Sequence, residues 1–317
     1  MTDERLILAL NEIWHDLEKE AYDAKHPDIL EEEIPRWRRV LSGFLGGTRP
    51  ACRAIDIGSG TGFVSLRLAE WLRADDRLTC ADLSAGMLEV CRANLERAGL
   101  ACGLDTLKLD GKRISLPDSS QDLVTLNAVM HHLPDPAVLC REIDRILKPG
   151  GRVLIGHEPT STWGSKPFLV LNYWALLPLA DAKQFVYEII LRLGLFEWVR
   201  KPLARFAPEL KGHNHLLDET NRRLVAAGVL PAPLPAADLS ALLDAQSPDA
   251  GGPQSGRGFS REGFAGYFPG YAIEACETYN HLNKIHPRGW MRGYSGWLAR
   301  RYPEHGSSIF CGLRKPG

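Results

Sequence analysis

The sequence predicts an α/β fold, a parallel sheet covered on both faces by helices, and three observations predict it. Short apolar runs alternate with helical stretches from Arg53 to Glu158. Runs of this kind, buried on both faces, indicate a parallel sheet covered by helices. A glycine-rich turn then joins the first run to the first helix, where such folds bind their ligands.

The strands are read as Ala54–Ile57, Leu78–Ala81, Thr106–Leu109, Leu123–Leu126 and Arg152–Gly156, and the intervening helices as Gly62–Arg73, Ala85–Ala98 and Pro136–Leu147. Leu147-Lys-Pro-Gly-Gly151 reads as a helix stop and tight turn feeding the fifth strand. Before this region, apolar residues at helical spacing from Leu6 to Leu45 predict two or three helices broken at His26-Pro27. After it, Pro167–Val199 is apolar and aromatic, and Ala226–Ser260 is rich in proline, glycine and alanine. Strand-like runs follow at Tyr271–Tyr279 and Ser308–Arg314. The expected organisation is an N-terminal helical cap (1–48), a ligand-binding core (49–160), a helical insert or lid (161–258) and a C-terminal part of the core (259–317).

Composition narrows the function classes. The 317 residues carry 38 basic and 39 acidic side chains for a net charge of −1, so a large nucleic-acid footprint, which needs a positive field, is not expected. Seven scattered cysteines, at no spacing under eleven residues, form neither a zinc pattern nor a disulfide framework. No metal site is assigned. The first residues lack the basic start and apolar core of a secretory signal, so a cytoplasmic protein is expected.

The strongest chemical signal is Ala54-Ile-Asp-Ile-Gly-Ser-Gly-Thr-Gly-Phe63. Gly58, Gly60 and Gly62 permit a sharp turn and close approach of a ligand to the backbone, beside the positive end of the next helix. The spacing is not the G-x-G-x-x-G of dinucleotide sites, and Asp56, two residues before the first glycine, suits a cationic ligand better than a pyrophosphate. Asp82 ends the second strand twenty residues after Gly62, where a carboxylate accepts both hydroxyls of a ribose. The alternative is that Asp82 or Ser84 only caps the helix starting at Ala85. Asp110-Gly111 ends the third strand and Asn127 the fourth, so Asp56, Asp82, Asp110 and Asn127 would converge on one crevice outside the strand ends.

These residues make 50–160 resemble the core of the class I S-adenosylmethionine methyltransferases, in particular the small-molecule branch of ubiquinone and menaquinone biosynthesis, with five elements matching in order and spacing. The resemblance implies a doubly wound, Rossmann-like sheet of seven strands with only the last antiparallel, Tyr271–Tyr279 and Ser308–Arg314 being the closing pair. It implies S-adenosylmethionine as cofactor, S-adenosylhomocysteine as product and a small molecule as acceptor. By the same carry-over, Asp56, Gly58, Ser59, Gly60 and Gly62 cradle the methionine part of the cofactor. Asp82 takes the ribose, Leu83 and Met87 flank the adenine, Asp110 with Gly111 meets its amino group, and Asn127 lies beside the methionine moiety. Tyr22 would close over the cofactor from an N-terminal helix.

Residues Pro159 to Phe259 match no motif, and here the acceptor should be decided. Neither Pro167–Ala180 nor Phe185–Val199 reaches the about 20 apolar residues that a bilayer span needs. A packed helical subdomain, a lid over an apolar pocket, and a homodimer face or membrane-surface helix beside Arg200, Lys201 and Arg205 remain open. His131, His132 and His157, with Glu158, stand at the ends of the fourth and fifth strands as candidate proton acceptors. His213-Asn-His215 reads as a polar loop rather than a metal site, and Glu31-Glu-Glu33 as a solvated helix start. Besides a small-molecule methyltransferase, a protein or RNA methyltransferase and a cofactor-binding protein without methylation stay open; a nicotinamide oxidoreductase fits worst.

Overall fold

The computed structural model describes residues 4–20, 27–193, 195–203, 208–246 and 258–317. Its chain forms two compact units: one of Asn11–Glu158, Arg261–Cys276 and Phe310–Gly317, the other of Met1–Leu10, Pro159–Ser260 and Glu277–Ile309.

Seven strands, β1 (Arg53–Ile57), β2 (Arg77–Asp82), β3 (Gly103–Lys108), β4 (Gln121–Asn127), β5 (Leu147–Pro159), β6 (Ala272–Tyr279) and β7 (Ser308–Arg314), form one sheet in the order β3-β2-β1-β4-β5-β7-β6. β1 to β5 pair in parallel and the last strand is antiparallel. The doubly wound, seven-stranded α/β fold expected from the sequence is the fold observed. Chain order reverses between β1 and β4, which sets a ligand crevice at their carboxyl ends.

α1 (Glu4–Glu18) and α2 (Pro27–Leu45) precede β1, and α3 (Phe63–Ala69), α4 (Ala85–Arg97) and α5 (Pro136–Ile146) run between the early strands. The core follows from the apolar runs: Ala54 and Ile55 of β1, Val124 and Leu126 of β4 and Val153, Leu154 and Ile155 of β5 are fully buried. α5 starts on Pro136, whose missing N–H costs nothing at a first helical position, and Asp135 accepts the Ala137 N–H at 3.0 Å as its cap. Cys140, Ile143 and Ile146 then fall on one face and are buried.

Several expectations are corrected. The Leu147–Gly151 turn is the first part of β5: Gly150 takes the turn at φ +75, and the pairing with β4 skips from Leu147 to Arg152. The first core helix is shorter than Gly62–Arg73, and Phe185–Val199 is divided between α7 (Ala182–Arg192) and α8 (Phe196–Leu203). His213 and His215 lie in α9 (Pro208–Ala226), not in a loop, and residues two apart on a helix face different sides, so the pair cannot close on one ion. Glu33 belongs to α2 and is 1% exposed, paired with Arg36 at 3.1 Å rather than solvated. Tyr22 and Arg205 lie outside the described residues.

The second unit is helical. α6 (Pro167–Ala180) and α12 (Trp290–Arg301) bury Leu169, Tyr173, Leu177, Met291 and Leu298 in one cluster with Leu282 and Ile285. Two short helices complete the chain, α10 (Ala236–Leu243) in this unit and α11 (Arg261–Tyr267) in the sheet unit.

Candidate functional site

Strand register assembles the site. Ile57 pairs with Ala81 on one side and Leu126 on the other. The next residues, Gly58, Asp82 and Asn127, therefore stand side by side at the carboxyl ends of three adjacent strands, about 5 Å apart from strand to strand.

The turn after β1 needs its glycines for two reasons. Gly58, Gly60 and Gly62 adopt φ of +66, +51 and +98, left-handed values that L side chains resist. A Cβ on Gly58 would also lie 2.4 Å from Val129 Cγ2 and one on Gly62 3.0 Å from Cys91 Sγ, whereas a Cβ on Gly60 would meet nothing within 4 Å. The turn is fixed by the Ser59 N–H on Ala81 O (3.0 Å) and the Gly62 N–H on Ser59 O (2.8 Å). Ser59 Oγ is buried with no hydrogen-bond partner among the described residues.

Asp82 is the centre of this arrangement. Its Oδ2 accepts the Gly60 N–H at 2.9 Å and its Oδ1 the Ser84 N–H at 2.8 Å. Burial pushes its carboxyl above the usual range, while those amides and nearby His15 pull it down. Ser84 Oγ accepts the Met87 N–H at 3.0 Å, so the capping role belongs to Ser84 and leaves Asp82 for another. Leu83 is half-buried and Met87 is buried in α4.

Asp56 lies beneath the turn, 1% exposed. Ser65 Oγ donates to its Oδ2 at 2.6 Å and Thr125 Oγ1 to its Oδ1 at 2.8 Å, tying β1, α3 and β4 together. Burial raises its carboxyl to about 6 despite these bonds. Asp110 is exposed after β3, its Oδ1 accepting the Lys112 and Arg113 N–H groups at 2.8 and 3.0 Å, which lowers its pKa and shapes the turn holding Gly111. Asn127 Oδ1 accepts Trp37 Nε1–H at 3.0 Å from α2. Asp110 and Asn127 share no hydrogen bond with Asp82.

The histidines form a second group. Glu158, fully buried at the end of β5, accepts the Val129 and Met130 N–H groups on Oε1 (2.8 Å each) and the His131 N–H on Oε2 (3.1 Å). His131 Nδ1 lies 2.9 Å from the same Oε2. Glu158 therefore positions the loop after β4 and orients His131. The His131 and His132 rings are 4.0 Å apart, and His15 of α1 meets His132 edge-on at 5.3 Å. His157 has left-handed backbone (φ +55) and Nδ1 3.3 Å from Glu33 Oε1.

His15 and Trp37 were missed from the sequence. Asn11 and His15 stand four apart on one face of α1, and Asn11 is buried with its side-chain amide on His132 O at 3.4 Å. Polar residues at helical spacing within an apolar pattern were the available signal. α1 runs close over α4, for a Cβ on Gly86 would come within 2.2 Å of Asp16 Oδ1.

Residues 55–155 match the family model described as a methyltransferase domain. The chain is 33% identical over 174 residues to the ubiquinone/menaquinone biosynthesis C-methyltransferase UbiE of Xanthomonas campestris, covering 51% of this chain and 68% of that protein. It is 35% identical over 174 residues to the protein of the same name in Stenotrophomonas maltophilia, with the same coverage. Among solved structures, a SAM-dependent methyltransferase from Aquifex aeolicus is 23% identical with a TM-score of 0.36, over 39% of this chain and 64% of that one. The YcgJ protein from Bacillus subtilis is 14% identical with a TM-score of 0.42, over 89% and 99%. The sheet order, the turn of alternate glycines and the two curated relatives at 33% and 35% identity agree: the chain belongs to the class I S-adenosylmethionine-dependent methyltransferases and is an enzyme of that family.

Proposed function

We propose that the crevice at the ends of β1, β2 and β4 holds S-adenosylmethionine and that the acceptor is a small apolar or aromatic molecule. The observation that carries the cofactor placement is the hydrogen-bond state of Asp82. Each carboxylate oxygen takes one backbone N–H, which leaves each an acceptor direction for one hydroxyl of a ribose diol. Beside it, the open side of Gly60 and the unpartnered Ser59 Oγ fit a ligand lying along the turn. Gly58 and Gly62 let the turn close on Val129 and Cys91, and Leu83 and Met87 are the apolar candidates for flanking the adenine. Asp110 Oδ2, which no described group occupies, suits the adenine amino group, and Asn127 keeps its amide N–H groups for the methionine moiety.

When bound, the cofactor supplies a methyl group activated by a sulfonium. The chain's part is to align the acceptor, exclude water and, where the acceptor requires it, receive a proton. His131 suits the role of proton acceptor because Glu158 holds Nδ1 in the donor tautomer, which makes Nε2 the basic nitrogen. His132 and His157 are the further candidates. The relatives named as C-methyltransferases of ubiquinone and menaquinone biosynthesis support a carbon as the acceptor atom.

Calorimetry with S-adenosylhomocysteine and with NADH tests the cofactor, and a turnover screen of phenols, quinols, amines and amino acids tests the acceptor. Micromolar binding of the first ligand, none of the second and turnover of a quinol or phenol are expected. Binding of NADH, or turnover confined to amino acids, overturns the proposal.

A further inference from the structure

The helical unit carries an exposed face whose composition differs from that of the chain. From Pro159 to Ala180 and from Thr278 to Pro303 there is no aspartate or glutamate, although the whole chain carries 39 acidic residues. The second stretch holds Lys284, Arg288, Arg292, Arg300 and Arg301, and all four arginines are exposed. α6 has no charged residue, yet Phe168, Leu171 and Leu179 are 43%, 68% and 75% exposed.

Aromatic rings join α6 to α12 across this face. Phe168 lies 6.5 Å from Trp297, Trp297 stacks on Tyr294 at 5.8 Å, and Trp290 lies 6.2 Å from Tyr294. The Tyr294 hydroxyl donates to Asn172 Oδ1, locking the two helices together. Trp290 and Trp297 remain 65% and 44% exposed, although tryptophan is a residue that packing normally covers. Arg301 stands at the rim with its guanidinium 5.3 Å over the Tyr302 ring.

We propose that this face docks the protein onto an anionic lipid bilayer surface. Tryptophan and tyrosine prefer the boundary between headgroups and hydrocarbon, and arginines beside them reach lipid phosphates. No helix among the described residues is long and apolar enough to cross a membrane, so the contact lies on the surface. A second copy of the chain is the poorer occupant, because a two-fold contact sets the same cations against one another.

Vesicle flotation tests this with the full chain. Phosphatidylcholine vesicles containing phosphatidylglycerol should carry the protein at least about tenfold more strongly than phosphatidylcholine alone, and high salt should abolish the difference. The pair Arg300→Gln and Arg301→Gln should remove the preference for anionic vesicles. The pair Trp290→Ser and Trp297→Ser should lose flotation while keeping the wild-type affinity for S-adenosylhomocysteine. Should that pair misfold, quenching of wild-type tryptophan fluorescence by bromine-labelled anionic lipid gives the same answer. Absence of wild-type binding and quenching overturns the proposal, as does unchanged flotation of both variants. A lipid-free dimer dispersed by the tryptophan pair would assign the face to a second copy and overturn it equally.

Discussion

Asp82 and Gly60 are joined by a hydrogen bond of 2.9 Å in which the carboxylate accepts the backbone N–H of the turn. The same carboxylate that would meet the ribose thus also sets the height of the glycine turn. Asp82→Ala should weaken S-adenosylhomocysteine binding by about 1.5–3 kcal/mol, the range for losing a charged acceptor. The two roles separate with 2′-deoxy ligand: wild type should lose affinity for it, and the variant should lose little more, since the partner is already gone. Equal discrimination by both proteins in calorimetry excludes the ribose contact.

Glu158 accepts three successive backbone N–H groups and orients His131. Glutamine has the same shape but turns an amine toward some of these donors, leaving buried groups facing like groups. Glu158→Gln should therefore cost about 3 kcal/mol in urea unfolding, more than an ordinary hydrogen bond. An unchanged midpoint would show that the loop after β4 is held by other contacts.

Strands and turns were readable because their physics is local. Ala54–Ile57 and Leu123–Leu126 are short, mostly apolar runs that are buried on both faces, and Ser308–Arg314 matches the observed strand end to end. α9 was invisible for the opposite reason. Its buried stripe includes Asn214, Thr220 and Asn221, which break the apolar period. They are tolerated because Thr220 donates to Leu216 O at 2.7 Å and Asn221 exchanges two bonds with Leu234. In the site, Asp82 was legible from its place at a strand end, while the roles of Glu158 and Trp37 depend on partners 27 and 90 residues away. No sequence period encodes such separations.

Asp56 gives a pH dependence of defined sign. Burial lifts its carboxyl from 3.8 to about 6, against the pull of the Ser65 and Thr125 hydroxyls. Between these values the folded state keeps a proton that the unfolded chain has lost, so stability falls as pH rises. The whole window is worth about 3 kcal/mol. Asp56→Asn cannot ionise, and its amide can still pair with both hydroxyls. Urea unfolding at pH 4, 5, 6 and 7 should show the variant gaining on wild type as pH rises, with a plateau above about 6. A constant difference would place the ionised form in the folded protein throughout.

The glycines of the turn separate folding from binding. At Gly58 a methyl group meets Val129 Cγ2 at 2.4 Å and Cγ1 at 3.3 Å, and the left-handed φ of +66 adds strain. Val129 cannot retreat freely, because its N–H is held by Glu158 at 2.8 Å. Gly58→Ala should thus destabilise the fold by about 2–4 kcal/mol, the sum of backbone strain and overpacking. At Gly60 the strain is similar in kind, with φ +51, but the added methyl meets nothing within 4 Å. Gly60→Ala should cost only about 1–2 kcal/mol in stability. Its methyl nevertheless occupies the open side of the turn beside Asp82, so S-adenosylhomocysteine affinity should fall at least about tenfold, as expected when a ligand must be held away from its hydrogen bonds by the width of a methyl. Unfolding and calorimetry on both variants read the two effects apart. If Gly60→Ala binds like wild type, the ligand does not lie along that side of the turn.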